Sequence, residues 1–297
     1  MRSLLFIPAD DERKLAKGVG SGADALILDL EDSVSPARKA AARPIGAQYI
    51  AATRALEKRP RLYVRINALD TPYWEDDLAG IMGARPDGIL LPKARSGEDV
   101  HKLSIALNHA EERIGAPLGA TRIIALATEV PIALLNLGTF VGASARLEGL
   151  TWGAEDLSAA LGAQTNREPD GSWTSPYTLA RNLCLFTAVA ANAQPIDTVF
   201  VNFRDGEGFR REAAAAARDG FTAKMAIHPA QVPVINELFT PSPEEVAASR
   251  EIVQAFADNP EAGVIAIRGM MVDRAHLVRA ERILARARNA TPHNPSQ

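Results

Sequence analysis

The segment Ala25–Val34, ALILDLEDSV, decides the fold class of this chain. Four apolar residues lead directly into Asp29, Glu31 and Asp32. A continuous apolar run predicts a strand that is buried on both faces, as in a parallel sheet. Three carboxylates at the end of such a strand repel one another and are costly to bury. We therefore expect them either to form a solvated acidic loop or to lie beside a cation or a basic substrate group.

The same pattern, a short apolar run followed by a helical pattern, repeats eight times along the chain. Strands that alternate with helices indicate a parallel sheet, and eight such units predict an α/β fold of the (β/α)8 TIM-barrel type. An open doubly wound sheet is the alternative, but the glycine-rich dinucleotide-binding turn is absent after the first strand. The predicted strands are Ser3–Pro8, Ala25–Leu30, Arg61–Asn67, Asp87–Lys93, Arg122–Glu129, Leu147–Gly153, Ile196–Phe203 and Thr222–Pro229.

The pattern changes near residue 240. We predict a barrel catalytic domain over residues 1–240 and a C-terminal helical arm over residues 241–297. Within the arm, GVIAIRGMMVD predicts a hairpin, and Asp273 is expected to cap the last helix. The arm is too short for a core of its own, so we expect it to pack as a lid on the barrel or on a neighbouring subunit. Residues Thr291–Gln297 are predicted to be disordered.

Composition excludes several classes of function. The chain has 297 residues with 33 Lys and Arg against 36 Asp and Glu, which gives a net charge of -3 and no field for nucleic acid. No apolar run reaches the roughly 20 residues of a membrane helix. The single cysteine, Cys184, is expected in the core. Met1 leads directly into a strand, which indicates that no signal peptide is present. We expect a cytoplasmic protein with no nucleic-acid or membrane partner.

Polar residues follow the carboxyl ends of seven consecutive predicted strands, the face at which barrel enzymes build their active sites. This clustering makes a purely structural barrel an unlikely interpretation of the sequence. The residues are Asp29, Glu31 and Asp32 after the second strand, Arg65 and Asn67 at the third, Lys93 at the fourth, Glu129 at the fifth, Glu155 and Asp156 after the sixth, Asn202 at the seventh and His228 at the eighth.

Glu129 and Asp156 are the candidate metal ligands. They follow sequential strands, which lie about 4.8 Å apart in a sheet, so their carboxylates are expected to share one cation. Oxygen donors favour Mg2+, with Mn2+ as the alternative, over Zn2+. The competing interpretation is that either residue is an acid at a helix N-terminus, where the helix dipole stabilises it.

Arg65 is a charged residue in an apolar strand, so it needs an anionic partner. Its planar guanidinium suits a substrate carboxylate, but a structural salt bridge to Asp29 or Glu31 is the alternative. Lys93 is expected either to bind substrate or to neutralise a carboxylate. His228 is more readily interpreted as a structural hydrogen-bonding group than as a base.

Several motifs in this chain resemble the citrate lyase beta subunit family of acyl-CoA lyases, within the HpcH/HpaI aldolase superfamily. They are RSLLFIPAD, GADALILDLEDSV, YVRIN, LLPK, TWGAEDLSAALGA, FTAKMAIHPAQV and the GMMVD tail, and they run in family order from about Arg2 to Ala287. The resemblance implies a TIM barrel that binds Mg2+ through Glu129 and Asp156. It also implies that a substrate carboxylate binds near Arg65.

The resemblance further implies that Asp273 lies on a segment that covers the active site of an adjacent subunit, in a homotrimer or a dimer of trimers. Two departures from the family pattern are present. Ala9 stands where glycine is usual, and Arg274–Ala275 stands where a proline commonly precedes the histidine matched by His276. The second departure bears on the placement of the arm and therefore on the role of Asp273.

The leading hypothesis is a Mg2+-dependent carbon–carbon lyase acting on a 3-hydroxy-acid CoA thioester such as malyl-, citramalyl- or citryl-CoA. The alternatives are a thioesterase or synthase on the same thioesters, a citrate-lyase-type subunit with an acyl-carrier partner, a plain aldolase and a non-catalytic binding barrel. The predicted catalytic residues are Arg65, Asp273, Asp29 and Glu31, the predicted substrate-binding residues are Arg65, Asp32, Lys93 and Asn67, and the candidates for CoA contacts are Arg13, Lys14 and Lys17.

Within this set, Arg65 is expected to hold the free carboxylate of the substrate. Asp273 is expected to transfer a proton at the thioester α-carbon or at the hydroxyl. The three carboxylates of ALILDLEDSV are expected to act mainly on metal-bound water, the thioester and Arg65 rather than to ligate the metal directly.

Overall fold

The computed structural model describes residues 1–289 and contains the predicted barrel. Eight parallel strands close in chain order, with β1 paired to both β2 and β8. The strands are β1 (Ser3–Pro8), β2 (Ala25–Asp29), β3 (Arg61–Arg65), β4 (Gly88–Leu91), β5 (Arg122–Leu126), β6 (Leu147–Thr151), β7 (Gln194–Asp197) and β8 (Ala223–Ala226).

Helices connect the strands of the barrel, as the alternating pattern predicts. Four short 3-10 turns, at Val19–Ser21, Pro36–Arg38, Met82–Ala84 and Leu137–Phe140, complete the connections. The helices are α1 (Glu12–Gly18), α2 (Lys39–Arg54), α3 (Trp74–Ile81), α4 (Gly97–Arg113), α5 (Pro131–Leu135), α6 (Ala154–Leu161), α7 (Ser175–Ala190), α8 (Gly206–Asp219) and α9 (Gln231–Leu238).

Strand β2 has the burial that its sequence predicts. All five of its residues are buried, because the barrel interior covers one face and the helical layer covers the other. The register pairs Asp29 with Arg65 at the carboxyl ends of β2 and β3. The cysteine expected in the core, Cys184, is fully buried within α7.

The predicted extent of the seventh strand, Ile196–Phe203, is wrong. The strand covers Gln194–Asp197, and the apolar residues that follow it form a loop. Phe200 in this loop is buried and packs on Phe209 of α8, with ring centroids 5.7 Å apart. The apolar character of this segment therefore reflects packing of a loop beneath α8 rather than continuation of the strand. As a result, Asn202 is an exposed loop residue and does not end a strand.

The chain forms two compact units, of which the barrel comprises Arg2–Asn236. The second begins at Glu237 and contains α10 (Pro243–Asp258), the antiparallel strands β9 (Val264–Ile267) and β10 (Met270–Asp273), and α11 (Arg274–Asn289). Helices α10 and α11 pack on one another, and the hairpin expected from GVIAIRGMMVD is present. The lid function of this arm stays a prediction, and Thr291–Gln297 lie outside the described residues.

No helix within residues 1–289 combines the length and the apolar character needed to cross a membrane.

Candidate active site

The carboxyl ends of the strands surround a cavity of about 690 Å³. Residues predicted from the sequence to act on metal or substrate line it from β2, β3 and the segments after β5 and β6. The predicted site residues in the lining are Asp29, Asp32, Arg65, Glu129 and Asp156, together with Glu155, His228, Lys14 and Lys17. The sequence-based inference that this end of the barrel carries the site agrees with this geometry.

Asp29 holds Arg65 in a fixed orientation. Its two oxygens accept hydrogen bonds from Nε and Nη2 of Arg65, each at 2.7 Å, and also from the backbone N–H groups of Glu31 and Ser33. Burial opposes the charge of Asp29, but the Arg65 guanidinium outweighs it and lowers the pKa of this carboxyl. Asp29 is therefore ionised, and both of its oxygens are occupied by partners in the protein.

Arg65 forms the structural salt bridges that the sequence left as the alternative to substrate binding. Its Nη1 lies 2.9 Å from Oε2 of Glu31, and its guanidinium carbon lies 4.9 Å from the centroid of the Phe6 ring. Asp29 occupies the Nε–Nη2 edge and Glu31 lies against Nη1, so a substrate carboxylate would have to share Nη1 with Glu31 or displace it. A direct contact of Arg65 with substrate stays a prediction.

Glu31 lies beneath the lining of the cavity and is almost completely buried. Its Oε1 accepts a hydrogen bond of 2.5 Å from Lys93 Nζ, whereas Oε2 has no hydrogen bond of good geometry, although Arg65 Nη1 is close. Burial raises the pKa of Glu31 to about 7, because it outweighs the attraction of Arg65 and Lys93. This carboxyl is thus only partly compensated by its surroundings.

Lys93 connects four carboxylates through two different groups. It adopts a left-handed backbone conformation with φ 50°, and its N–H donates to Glu129 Oε2 at 2.6 Å. Its Nζ lies 3.3 Å from oxygens of both Asp32 and Asp156, in addition to its bond to Glu31. Burial opposes the charge of Lys93, but the bond to Glu31 and the nearby carboxylates raise its pKa. Neutralisation of carboxylates, one of the two predicted roles, is therefore observed.

Glu129 is the most strongly perturbed carboxyl group of the site. Burial raises its pKa to about 8, and the nearby carboxylates of Asp156 and Glu31 add to the increase. Gly153 makes room for this side chain, since a Cβ atom at Gly153 would lie 2.6 Å from Glu129 Cγ. Glycine is therefore required at this position by packing, a role that the sequence analysis did not recognise.

Asp156 lies in the first turn of α6, where the helix dipole stabilises a negative charge. The alternative interpretation, an acid at a helix N-terminus, thus describes its local structure. That position also brings Asp156 to the cavity, and its charge acts on Glu129. A position in the first turn of a helix is compatible with metal binding, because a helix N-terminus after a barrel strand points toward the catalytic face.

The residues present fit a hard divalent cation. The donors are carboxylate oxygens, and Glu129 is buried beside like charges that a cation would offset. Residues 1–289 contain no metal-binding cluster of three or more His, Cys, Asp or Glu side chains. Mg2+ commonly takes only one or two protein carboxylates and keeps several waters, so Glu129 and Asp156 suffice as its protein ligands.

A supporting layer holds the acidic loop from below. Lys39 Nζ donates to the backbone carbonyls of Leu30 and Glu31, at 2.9 Å each. Asn67 Nδ2 donates to the carbonyl of Leu30 at 3.0 Å and to Asp77 at 2.6 Å. We expected Asn67 to bind substrate, but its amide is buried in this layer, and a substrate contact stays a prediction. Lys39 gave no sequence signal, because lysine is ordinary at the start of a helix.

The remaining predicted residues lie in different surroundings. His228 stacks on Phe203 with centroids 5.0 Å apart, and its Nδ1 accepts a hydrogen bond from the backbone N–H of Ala230, which agrees with a structural role. Asp273 belongs to the second unit, where it accepts hydrogen bonds from the backbone N–H groups of Ala275 and His276 and caps α11 as expected. Its carboxylate also lies 2.6 Å from His276 Nδ1, which lowers its pKa.

The comparisons with known proteins place these observations in a family. Residues 2–229 match the family model described as HpcH/HpaI aldolase/citrate lyase. The chain is 34% identical to the citrate lyase subunit beta of Leuconostoc mesenteroides subsp. cremoris, over 95% of this chain and 92% of that protein. It is also 34% identical to the L-malyl-CoA/beta-methylmalyl-CoA lyase of Cereibacter sphaeroides, over 96% of this chain and 94% of that enzyme.

The fold is similar to that of a crystal structure of the protein CitE from Mycobacterium tuberculosis in complex with magnesium, acetoacetate and coenzyme A. The TM-score is 0.77 at 34% sequence identity, and the match covers 96% of this chain and 97% of that chain. Family model, relatives and solved structure agree on the family and on the fold. The chain belongs to the HpcH/HpaI aldolase/citrate lyase family, a family of lyases.

Proposed function

We propose that this protein is a Mg2+-dependent carbon–carbon lyase that cleaves or forms 3-hydroxy-acid thioesters of coenzyme A. The observation that carries the proposal is the placement of Glu129 and Asp156 together at the cavity, with a supporting set of Lys93, Glu31 and Arg65. The magnesium- and CoA-bound relative and the malyl-CoA lyase relative support the same chemistry.

In this proposal Glu129 and Asp156 hold the metal ion. The bound Mg2+ supplies Lewis-acid stabilisation of the negative charge that develops on the substrate oxygens. The Lys93 N–H orients the Glu129 carboxylate, and Asp29 holds the Arg65 guanidinium, whose Nη1, now paired with Glu31, would bind the free carboxylate of the substrate beside Glu31 or in its place. These contacts fix the substrate before reaction, so less conformational freedom is lost in the transition state.

Cleavage requires removal of the hydroxyl proton and rupture of the bond between the α- and β-carbons of the thioester. The electron pair of that bond stays with the α-carbon, which then takes up a proton, and the products are a 2-oxo acid and a shorter acyl-CoA. Asp273 remains the proposed group for one of these proton transfers, because a positioned carboxylate can act as a general acid or base. A homotrimeric assembly that brings Asp273 to an adjacent barrel is part of the same proposal.

Lys14 and Lys17 line the cavity at α1 and are the proposed contacts for the CoA phosphates. A citrate-lyase-type subunit that takes its acyl group from a carrier protein would use the same barrel. Turnover of free CoA thioesters by the purified chain would argue against a requirement for such a partner.

The deciding experiment incubates the purified protein with malyl-, citramalyl- and citryl-CoA, with Mg2+ or with a chelator. The 2-oxo acid and the free CoA thiol are measured separately, because a lyase releases 2-oxo acid and an acyl-CoA, whereas a thioesterase releases free CoA and an intact hydroxy acid. We expect 2-oxo acid formation only with Mg2+. Full activity in chelator, or free CoA without 2-oxo acid, would overturn the proposal.

Asp156→Asn provides the matched test of the metal ligands, with the neighbouring Glu155→Gln as its comparison. Both residues lie in the first turn of α6, and Glu155 accepts its hydrogen bond from Asn166. We expect Asp156→Asn to raise the Mg2+ concentration needed for half-maximal activity at least ten-fold more than Glu155→Gln does. Equal effects would show that Asp156 acts only through the general charge of this turn.

A further inference from the structure

Beside the carboxylates Glu129, Glu155 and Asp156, the β5–β8 side of the cavity also has an uncharged wall. Its residues are Leu126, Trp152, Thr198, Val199 and Met225, of which Trp152 is completely buried and therefore forms the back of the wall. The wall adjoins the metal-ligand carboxylates, because Trp152 precedes Gly153, the residue that packs on Glu129. In the proposed reaction, the substrate half that faces this wall is therefore the 2-oxo acid half.

A hydrogen bond to a buried ion pair fixes Trp152 in this wall. Its Nε1 donates to Asp197 Oδ1 at 2.8 Å, and Asp197 Oδ2 accepts from Lys224 Nζ at 2.6 Å. The side chains of Asp197 and Lys224 are 1% and 0% exposed. A charge pair this deeply buried costs desolvation energy and contributes little net stability over apolar residues of similar size. The pair therefore serves to orient Trp152, because Asp197 accepts a charge-assisted hydrogen bond from the indole N–H.

These contacts continue into a closed ring through Glu212 of α8 and through Arg167 and Trp173, which precede α7. Lys224 Nζ lies 3.2 Å from Glu212 Oε1, and Glu212 Oε2 lies 2.5 Å from Arg167 Nη1. The Arg167 guanidinium lies 3.3 Å from the ring centroid of Trp173. Trp173 in turn packs edge-to-face on Trp152, with centroids 5.0 Å apart and planes at 72°. These six residues form what we call the Trp152 ring.

We propose that Trp152, held by the Trp152 ring, is the specificity-determining residue that limits the substituent on the 2-oxo acid to hydrogen or methyl. This inference rests on the proposed function. With a rigid indole behind it, the wall cannot yield to a longer chain, because the hydrogen bond to Asp197 fixes one edge of the indole and Trp173 packs against it. A carboxymethyl substituent is disfavoured as well, because its carboxylate would meet an uncharged wall and lose hydration without gaining a partner.

The test runs the reaction in the condensing direction with acetyl-CoA and Mg2+. The 2-oxo acids carry a hydrogen, methyl, ethyl, propyl or carboxymethyl substituent. The acidic member is oxaloacetate. For the wild type, kcat/KM is expected to fall at least ~10-fold from the methyl to the ethyl acid, which is typical of one excess methylene in a rigid pocket. Turnover of the propyl acid or of oxaloacetate as efficient as that of the methyl acid would overturn the inference while leaving the lyase function intact.

Trp152→Phe shortens the wall and removes the indole N–H. We expect the methyl-to-ethyl ratio of kcat/KM to drop ~10-fold, because the ethyl acid gains space that it lacked. Trp74→Phe is the matched control, since Trp74 lies on α3 outside the cavity lining. An unchanged ratio in Trp152→Phe would contradict the inference.

The role of the ring as a positioning device is tested with Glu212→Gln, which contacts Lys224 and Arg167 but does not line the cavity. We expect a several-fold lower KM for the ethyl acid with little change in kcat for the methyl acid. Glu207→Gln, an exposed position on the same helix, is the control. A purely structural role of Glu212 would lower activity on both acids equally, and that result would contradict the positioning role.

Binding separates this inference from the proposed function. The increase in melting temperature that each 2-oxo acid produces in the presence of Mg2+ reports binding and requires no turnover. A shift with the hydrogen and methyl acids but not with the propyl acid would support the size limit even if no lyase reaction were found. Equal shifts for all acids would overturn the size limit while lyase activity stood, and no shift with any acid would overturn it as well.

Discussion

Both ends of the barrel bury carboxyl groups, but the pKa values of these groups shift in opposite directions at Asp24, Asp87 and Glu111 on one end and at Glu31 and Glu129 on the other. At the amino end, hydrogen-bond donors surround the carboxylates, and the donors affect the pKa values more strongly than burial does. The pKa values of Asp24, Asp87 and Glu111 are all lowered there, because hydrogen bonds from arginines and backbone N–H groups outweigh desolvation. At the carboxyl end, burial prevails at Glu31 and Glu129, and their pKa values are raised.

Glu111 is a buried carboxylate whose desolvation is fully compensated by hydrogen-bond donors. It is fully buried, and Arg146 donates to both of its oxygens, at 2.8 and 2.5 Å. The backbone N–H groups of Thr121 and Gly119 donate to the same oxygens at 2.7 and 2.8 Å. The cluster therefore joins α4 to the loops that begin β5 and β6, and it contributes to stability rather than to chemistry.

The contrast teaches that the amino end is built to hold the strands together, whereas the carboxyl end, besides the well-partnered Asp29, buries two carboxyls, Glu31 and Glu129, whose charge the surrounding donors do not fully compensate. Glu31 Oε2 lacks a well-formed hydrogen bond, and Glu129 has only one donor, the N–H of Lys93, among the described contacts. Substitutions at the two ends should therefore separate activity from stability.

The largest effect is expected for Glu129→Gln. The variant keeps the shape of the side chain but loses the charge that binds the metal, so we expect lyase activity to fall roughly a thousand-fold. Stability is expected to stay equal or to rise, because a buried carboxyl with a raised pKa is removed. Kinetics over a Mg2+ titration and urea unfolding measure the two quantities. Glu98→Gln, at an exposed position on α4, is the control, and a large loss of stability in Glu129→Gln would contradict the contrast.

The reverse outcome is expected for Glu111→Gln at the amino end. The substitution leaves Arg146 buried without its counter-charge, which typically costs about 3 kcal/mol of unfolding free energy. The activity of the folded fraction should be unchanged, since Glu111 does not line the cavity. Urea unfolding and kcat/KM at low temperature test this, with the exposed neighbour Glu112→Gln as the control. A drop in kcat/KM of ten-fold or more would show that the two ends are coupled.

The sequence predicted the fold because its main signals are local and repetitive. The buried run of β2 and the alternation of strands and helices depend on burial and chain direction alone. The same logic predicts Glu129, Asp156 and Arg65 at one face, and all three line the cavity there, while their roles stay predictions. It failed at Ile196–Phe203, since an apolar run does not distinguish a buried strand from a loop packed under a helix.

The partners of each charge could not be predicted, because they depend on contacts between distant segments. Nothing local in the sequence indicates that Lys39 binds the carbonyls beneath Glu31 or that Gly153 accommodates Glu129. Lys224 and Asp197 were recognisable by the argument applied to Arg65, since each is a charged residue in an apolar strand. That argument identifies a buried charge but not its partner.

A smaller effect is expected in the dependence of stability on pH. A carboxyl whose pKa is higher in the folded state binds extra protons when folded, so it lowers stability as pH rises between its unfolded and folded pKa values. Chelator-treated protein should therefore lose stability between about pH 4.5 and 8, the interval set by Glu31 and Glu129. Urea unfolding across this pH range measures the change in the free energy of unfolding, and Glu129→Gln should make that free energy less dependent on pH.

The amino end makes the opposite contribution. The folded-state pKa values of Asp24, Asp87 and Glu111 are lowered, so their stabilisation is present above the unfolded values near 4 and is lost as pH falls below them. Added Mg2+ should reduce the slope between pH 4.5 and 8, because it offsets the charge of Glu129, without changing the loss at acid pH. An equal effect of Mg2+ on both limbs would refute the assignment of the slope to the carboxyl end.

The smallest effect is expected for Lys39→Met, which removes the ammonium under the acidic loop and keeps most of the side-chain volume. The carbonyls of Leu30 and Glu31 lose a donor, but Asn67 still holds the carbonyl of Leu30, so the loop should loosen rather than unfold. We expect kcat to fall ~10-fold at saturating Mg2+, the rate cost of about 1.4 kcal/mol in the transition state. Lys58→Met, at an exposed position, is the control. A loss as large as that of Glu129→Gln would mean that Lys39 sustains the metal ligands themselves, whereas an unchanged kcat would mean that Asn67 alone is sufficient to position Glu31 and Asp32.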